Sequence, residues 1–334
     1  MKIVFFDVAP TETEAVRAAF PEATVIADPL SAETAHQAAD AEVVSIFVSS
    51  VADKAALDQL KKLRHIGCRS TGFDHVVLEA ARARNISIST VPSYGENTVA
   101  EYAFTLLLAL SRKLTASIDQ IHEGEIDHTA TMGFDLMGKT LGVIGTGRIG
   151  THSISIGNGF GMKVLGFDPF PRLELEGQLG FHYVDLAELL KEADVITLHA
   201  PLTPDTKHLL DAAAFRRMKK SAVVINTSRG ELIDTAALTE ALEKKMIAGA
   251  ALDVIEGEKL LDLEEELHLL VHSRSRQKLE LAAEITVLEK MSNVIITPHN
   301  AFNTREAVDR IWKTSFDNIQ NFIGGKPTNL IPVK

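Results

Sequence analysis

The sequence predicts an α/β protein of two domains. Three observations carry that expectation. The chain has 334 residues, more than one hydrophobic core usually organises. Short β-rich runs alternate with amphipathic stretches, the pattern of parallel strands joined by helical crossovers. The alternation comes as two series, parted by a long apolar stretch that starts near residue 97.

In the first series, "KIVFFD", "ATVIA", "EVVSIFV" and "NISIST" are strand candidates. "TETEAVRAAF" and "ADKAALDQLKKL" have helical spacing with acidic or capping starts. "ENTVAEYAFTLLLALSRKL" then reads as one long helix, with Asn97 or Thr98 as its cap. Its apolar face is wider than one sheet needs, which suits both a core and a dimer interface. The second series begins at Thr140, with strand candidates "TLGVIG", "KVLGFD", "DVITLHA", "AVVINT", "AGAALDV" and "NVIITPH". Residues 259–290 interrupt its rhythm. "LDLEEELHLL" and "LELAAEITVLEKM" have helical spacing there, and a surface excursion near the site is expected. The helix "TREAVDRIWKTSFDNIQNFIGG" closes on a Gly-Gly stop, and prolines extend the tail "KPTNLIPVK".

Composition excludes several classes of function. The net charge is −11 and no basic stripe is present, which argues against nucleic acid as a partner. No apolar run reaches membrane-span length, and "MKIVFFDV" is not a signal peptide, so a soluble cytoplasmic protein is expected. The lone Cys68 leaves no internal disulfide and no cysteine metal cluster; a buried small residue is the expectation. His268 and His272 stand four apart on a helical stretch, but no Glu follows the first and no third ligand is evident. No metal is expected.

The stretch "LGVIGTGRIG" places Gly145, Gly147 and Gly150 in G-x-G-x-x-G spacing after an apolar strand. Gly145 permits the tight turn, Gly147 lets a pyrophosphate approach the backbone, and Gly150 lets helix pack on strand. Backbone N–H groups near Arg148 and Ile149 point at phosphate from the positive end of the helix. The helix itself, "RIGTHSISIGNGFG", is rich in poor formers, and "GNG" at 157–159 is expected to end it early. The next strand ends on Asp168, eighteen residues past Gly150, where a carboxylate binds ribose hydroxyls and repels a 2′-phosphate. The second series is therefore a Rossmann-type dinucleotide-binding domain that prefers NAD over NADP.

"VIGTGRIG", "GFDP", "NTSRGELID", "ALDVIEGE" and "ITPHNAF" follow one another in the order of the D-isomer-specific 2-hydroxyacid dehydrogenases. With "RSTGFDHV" and "VPSYGENTVAEYAF" in the first half, the sequence resembles that family over essentially its whole length. The resemblance implies a Rossmann domain at 97–302, inserted into a flavodoxin-like α/β substrate domain formed by 1–96 and 303–334. It also implies a homodimer, an active site in the cleft between domains, and closure of that cleft around ligands.

The same resemblance implies the site residues. Arg229 is the substrate-binding and electrostatic residue, its fork suited to a carboxylate and an adjacent carbonyl. His299 is the acid/base, a type whose charge changes near neutral pH. Glu258 is the carboxylate that orients this histidine, with Glu256 and Asp253 as neighbouring competitors. Asp253 matches the residue at the nicotinamide end. Ala200, Pro201 and Thr206 fall on the adenosine side, and Thr227 and Ser228 beside the nicotinamide. Thr71 and Gly72 offer backbone N–H groups to the substrate carboxylate. Tyr94 and Phe302 shape the pocket, although Tyr94 fits a core position equally well.

The long segment between Glu258 and His299 resembles the D-lactate dehydrogenase branch, as does "PHNAF" followed by "NT". This implies reversible NADH-dependent reduction of pyruvate to D-lactate. A broader reductase of glyoxylate, hydroxypyruvate or bulkier 2-oxoacids is the alternative within the family. An NAD-sensing corepressor on the same fold is the alternative outside enzymes.

Overall fold

A computed structural model describes residues 1–258 and 275–332. The chain divides into two compact units, 1–94 with 304–334 and 95–303.

The first unit is built on a five-stranded sheet whose neighbours all pair parallel: β1 (Ile3–Phe5), β2 (Thr24–Val25), β3 (Val43–Ile46), β4 (His65–Cys68) and β5 (Ser87–Ser89). Their order is β2-β1-β3-β4-β5, the flavodoxin-like arrangement. Helices α1 (Thr13–Ala19), α2 (Lys54–Leu57) and α3 (Leu78–Arg82) form the crossovers. Adjacent strand residues feed opposite faces, as the two-residue side-chain period requires. Val4, Val44 and Ile66 join one core, while Phe5 and Val43 join Trp312 and Ile319 of the C-terminal helix in the other. Leu330 makes an antiparallel bridge with Ser89, so the tail returns to the first strands.

Two local expectations change in this unit. The stretch 52–63 is helical only over Lys54–Leu57, started by Asp53, whose Oδ1 accepts from Ala56 N at 2.8 Å. Strand β4 was not among the strand candidates, because His65 between Arg64 and Arg69 disguises it. In the fold His65 is fully buried. It bonds the Ser87 and Ser89 hydroxyls at 2.9 and 3.0 Å and stacks on Phe322 at 4.3 Å.

The second unit carries seven parallel strands: β6 (Thr140–Ile144), β7 (Lys163–Phe167), β8 (His182–Tyr183), β9 (Val195–Leu198), β10 (Val223–Asn226), β11 (Gly249–Leu252) and β12 (Val294–Ile296). Their order is β12-β11-β10-β9-β6-β7-β8. The winding direction reverses between β6 and β9, the switch point at which doubly wound sheets bind ligands. Helices α4 (Glu96–Ser111), α5 (Leu114–Glu123) and α6 (Arg148–Gly159) precede β7. After it come α7 (Glu174–Leu179), α8 (Leu186–Glu192), α9 (Ala212–Arg217), α10 (Thr235–Glu243) and α11 (Arg276–Glu289). Val223 and Ile225 face one core with α4, and Val224 between them faces the other with α9 and α10. Beyond this unit, α12 (Arg305–Ile323) starts at Thr304, whose hydroxyl accepts from Ala307 N at 3.2 Å.

The long helix expected from residue 96 is two helices. It begins at Gly95, not at Asn97 or Thr98, and stops at Ser111. Lys113 adopts φ +47° and α5 starts anew. The cause is the returning chain: Phe134 N donates to the Ser111 carbonyl at 2.9 Å, and a Cβ on Gly133 would stand 2.1 Å from that oxygen. Helix α6, in contrast, runs unbroken through "GNG" to Gly159. Gly157 is needed there, since a Cβ would meet Leu141 of β6 at 2.6 Å; close packing on the sheet overrides weak propensity. Strand β8 is an addition to the expected set. Among the described residues no helix is long and apolar enough to cross a membrane, and no group of His, Cys, Asp and Glu could hold a metal. His268, His272 and "LDLEEELHLL" lie outside the described residues.

Candidate active site

The C-terminal ends of β6, β7, β9, β10, β11 and β12 share one edge of a parallel sheet, and every described second-unit site residue expected above follows one of them within about eight residues. At the end of β6, Gly145 has φ +90° and its N–H donates to Phe167 O at 2.8 Å. A Cβ there would stand 2.6 Å from the His199 carbonyl oxygen. A Cβ on Gly150 would lie 2.0 Å from the Gly145 oxygen. Both glycines are thus required by contact. Gly147 differs: it starts α6, is exposed, and a Cβ would meet nothing within 4 Å. The open backbone lies at the positive end of a twelve-residue helix, the setting that receives phosphate. Arg148 is exposed beside it and Ile149 half-buried.

Asp168, at the end of β7, accepts from Thr146 N at 2.9 Å through Oδ2 and from Phe170 N at 3.0 Å through Oδ1. Oδ2 also meets the Thr146 hydroxyl at 3.3 Å, and Oδ1 keeps lone-pair capacity for a ribose hydroxyl. At the end of β9, Thr206 closes the following loop, its hydroxyl donating to Pro201 O at 2.7 Å and meeting Thr203 Oγ1 at 3.0 Å, with Ala200 half-buried beside it. At the end of β10, the Thr227 hydroxyl is buried without a hydrogen-bond partner among the described residues. Such a group calls for a bound one. The open glycine cradle, the acidic strand end and this hydroxyl together fit a dinucleotide carrying an amide.

Arg229 follows two residues after Thr227. Asn226 shapes this turn: its Oδ1 accepts from Ser228 N at 3.0 Å and its Nδ2 donates to Arg229 O at 2.8 Å. Ser228 is tied to the Leu198 carbonyl at 2.6 Å, and Arg229 Nη1 donates to Ser228 O at 2.7 Å. Gly230 presses this turn on the next one, since a Cβ would fall 2.0 Å from the Ile255 carbonyl carbon.

The turns after β11 and β12 form one structure. His299 Nδ1 lies 3.0 Å from Glu258 Oε2, with both side chains about a third exposed. With the carboxylate ionised, Nδ1–H donates to it and Nε2 is the ring nitrogen left to exchange a proton. His299 has φ +49°, rare outside glycine, so the turn is over-determined by its surroundings. Asp253 supplies them. Its Oδ1 accepts from Thr297 Oγ1 and from Asn300 N at 2.9 Å, its Oδ2 from Ala301 N at 2.8 Å, and its carbonyl from His299 N at 2.8 Å. Asp253 is only 1 % exposed. The side chain fixes the His299 turn, and its Oδ2, which among the described residues accepts only from Ala301 N, keeps lone-pair capacity for the nicotinamide contact expected of it. Phe302 is half-buried just beyond it.

In the first unit, Thr71 Oγ1 donates to Val91 O at 2.7 Å and Ser70 Oγ to Gly72 O at 2.6 Å, which shapes the turn after β4. Tyr94 is half-buried, and its carbonyl accepts from Arg310 Nε. Sequence reasoning missed Asn226, His199 and His208. His199 bonds Ser153 Oγ at 2.8 Å and Thr197 Oγ1 at 3.1 Å at the end of β9. Burial pushes its imidazole down to about 3. Position at a strand end was the available signal, Asn226 as the last residue of β10 and His199 as the first after β9.

The model of the D-isomer specific 2-hydroxyacid dehydrogenase NAD binding domain matches residues 104–301. The chain belongs to the D-isomer-specific 2-hydroxyacid dehydrogenase family. This dehydrogenase is 37% identical to the D-lactate dehydrogenase of Escherichia coli over 306 residues, 90% of each chain. It is 34% identical to the aromatic 2-oxoacid reductase of Clostridium sporogenes over 330 residues, 96% of each. Its fold is similar to the crystal structure of D-lactate dehydrogenase from Aquifex aeolicus complexed with NAD and lactic acid. The TM-score is 0.87 at 32% identity, covering 97% of this chain and 96% of that one. The dehydrogenase uses NAD, and its substrates are 2-hydroxyacids and the matching 2-oxoacids.

Proposed function

We propose that this dehydrogenase reduces pyruvate to D-lactate reversibly with NADH, using His299 as proton donor and acceptor. The observation that carries this reading is the 3.0 Å His299–Glu258 pair, on the same sheet edge as the glycine cradle. When bound, the cofactor supplies a hydride from C4 of its nicotinamide ring. Gly145 to Gly150, with Arg148 and Ile149, receive its pyrophosphate. Asp168 takes the ribose hydroxyls, Ala200, Pro201 and Thr206 border the adenosine side, and Thr227 and Ser228 the carboxamide side.

During reduction the His299 Nε2 proton passes to the substrate carbonyl oxygen, while Glu258 holds the imidazolium. In oxidation the neutral ring takes the hydroxyl proton. Arg229 grips the substrate carboxylate and polarises its carbonyl. Thr71 and Gly72 as carboxylate donors, and Tyr94 and Phe302 as pocket walls, rest on the family motifs alone. The exposed Leu114, Ile118 and Ile121 on α5 are an apolar face suited to a homodimer.

Kinetics with NADH across pyruvate, glyoxylate, hydroxypyruvate and phenylpyruvate test the substrate. Highest kcat/KM with pyruvate supports the reading. Highest kcat/KM with the aromatic acid would move the enzyme toward the second reading, a bulkier 2-oxoacid reductase, which the Clostridium sporogenes relative favours.

A further inference from the structure

His208 sits ten residues beyond Leu198, at the close of the loop that follows β9. It has φ +54°, a left-handed conformation that a non-glycine residue keeps only when its surroundings hold it. Two sets of contacts do so. Its backbone N–H donates to Glu231 O at 2.7 Å, and Leu210 continues this pairing as a parallel bridge to Ile233. That ties the chain at 208–210 to the turn that carries Arg229. Its side chain reaches the other turn: Nε2 lies 3.2 Å from Glu256 Oε1. On its far side Nδ1 stands 3.9 Å from Asp234 Oδ2, the carboxylate that starts α10 by accepting from Ala237 N at 3.0 Å.

Glu256 is two residues before Glu258, in the short turn after β11. Among the described residues its second oxygen meets only the Thr235 hydroxyl, at 3.4 Å. The His208 imidazole is thus the strong polar anchor of Glu256 within this turn. Glu256 was a competitor of Glu258 in the sequence. Here Glu256 pairs with His208 and Glu258 with His299, so the two acids split their duties.

We propose that His208 is a positioning residue: by holding Glu256 it fixes the turn that presents Glu258 to His299. This rests on the acid/base reading above. The imidazole contributes a hydrogen bond when neutral, and an ion pair to two flanking carboxylates when protonated. It touches no reacting atom, so its effect must pass through Glu258.

A double-mutant cycle on the full-length enzyme tests this. His208→Ala is expected to lower kcat for 2-oxoacid reduction about tenfold, with the NADH dissociation constant unchanged within about twofold. Glu256→Gln, which keeps the volume, is expected to lower kcat in the same direction. On a Glu258→Gln background, His208→Ala is expected to cost nothing further. Full additivity of the two losses overturns the proposal, as does wild-type kcat in both His208→Ala and Glu256→Gln. Loss of NADH affinity at unchanged kcat also overturns it, because His208 would then serve the cofactor loop. If Glu258→Gln alone turns over normally, it is the acid/base reading that fails.

Discussion

His199 and His299 stand a hundred residues apart and occupy equivalent places, the first few residues beyond a strand on one edge of one sheet. Their surroundings make them different groups. His199 is enclosed among neutral hydroxyls, and burial holds its imidazole uncharged down to about 3. His299 is about a third exposed, faces a carboxylate, and sits on a backbone turn held by Asp253. The strand end supplies position; the partner and the access to water decide whether the ring moves protons or braces a loop.

His299→Gln breaks the comparison most severely. It removes the exchangeable proton and keeps the volume, so kcat is expected to fall about a thousandfold, within the range for general acid–base catalysis. Fluorescence titration should find NADH bound as before. Glu258→Gln is the next step down: the ring keeps a polar neighbour and loses the charge that supports imidazolium. A kcat loss of about ten- to a hundredfold is expected in steady-state assays.

The third effect is on stability. An unfolded chain protonates its histidines near the ordinary imidazole value of 6.5, whereas folded His199 waits until about 3 and His65, also buried, until about 4. Their contribution is complete above pH 6.5 and is lost as pH falls below it. Each adds about 1.4 kcal/mol per pH unit to the acid-side slope while its folded form stays neutral. Urea unfolding followed at pH 7, 6 and 5 should show that slope, and His199→Gln should flatten it by about one proton. An unchanged slope would mean that His199 takes up its proton in the folded state. The smallest effect sharpens the contrast: His199→Gln should change kcat by less than about threefold at pH 7, since the ring exchanges no proton with substrate.

Much of this site was legible in the sequence because its logic is local. The glycine spacing encodes contacts that a Cβ forbids, at Gly145 and Gly150, and the carboxylate of Asp168 follows at the next strand end. Arg229, Glu258 and His299 were readable through their motifs. What stayed hidden depends on partners far along the chain. His65 masks a buried strand because Ser87, Ser89 and Phe322 satisfy it. The break after Ser111 comes from a loop twenty residues later. The bracing role of Asp253 was hidden because its donors, Asn300 and Ala301, lie far along the chain.

The central claim is that His299 Nε2 delivers the proton while Nδ1 stays on Glu258. A crystal structure with NADH and oxamate tests it most directly. The account predicts the oxamate carbonyl oxygen within hydrogen-bond distance of Nε2, with the Glu258 contact kept. An imidazole turned away from oxamate, or separated from Glu258, would contradict it.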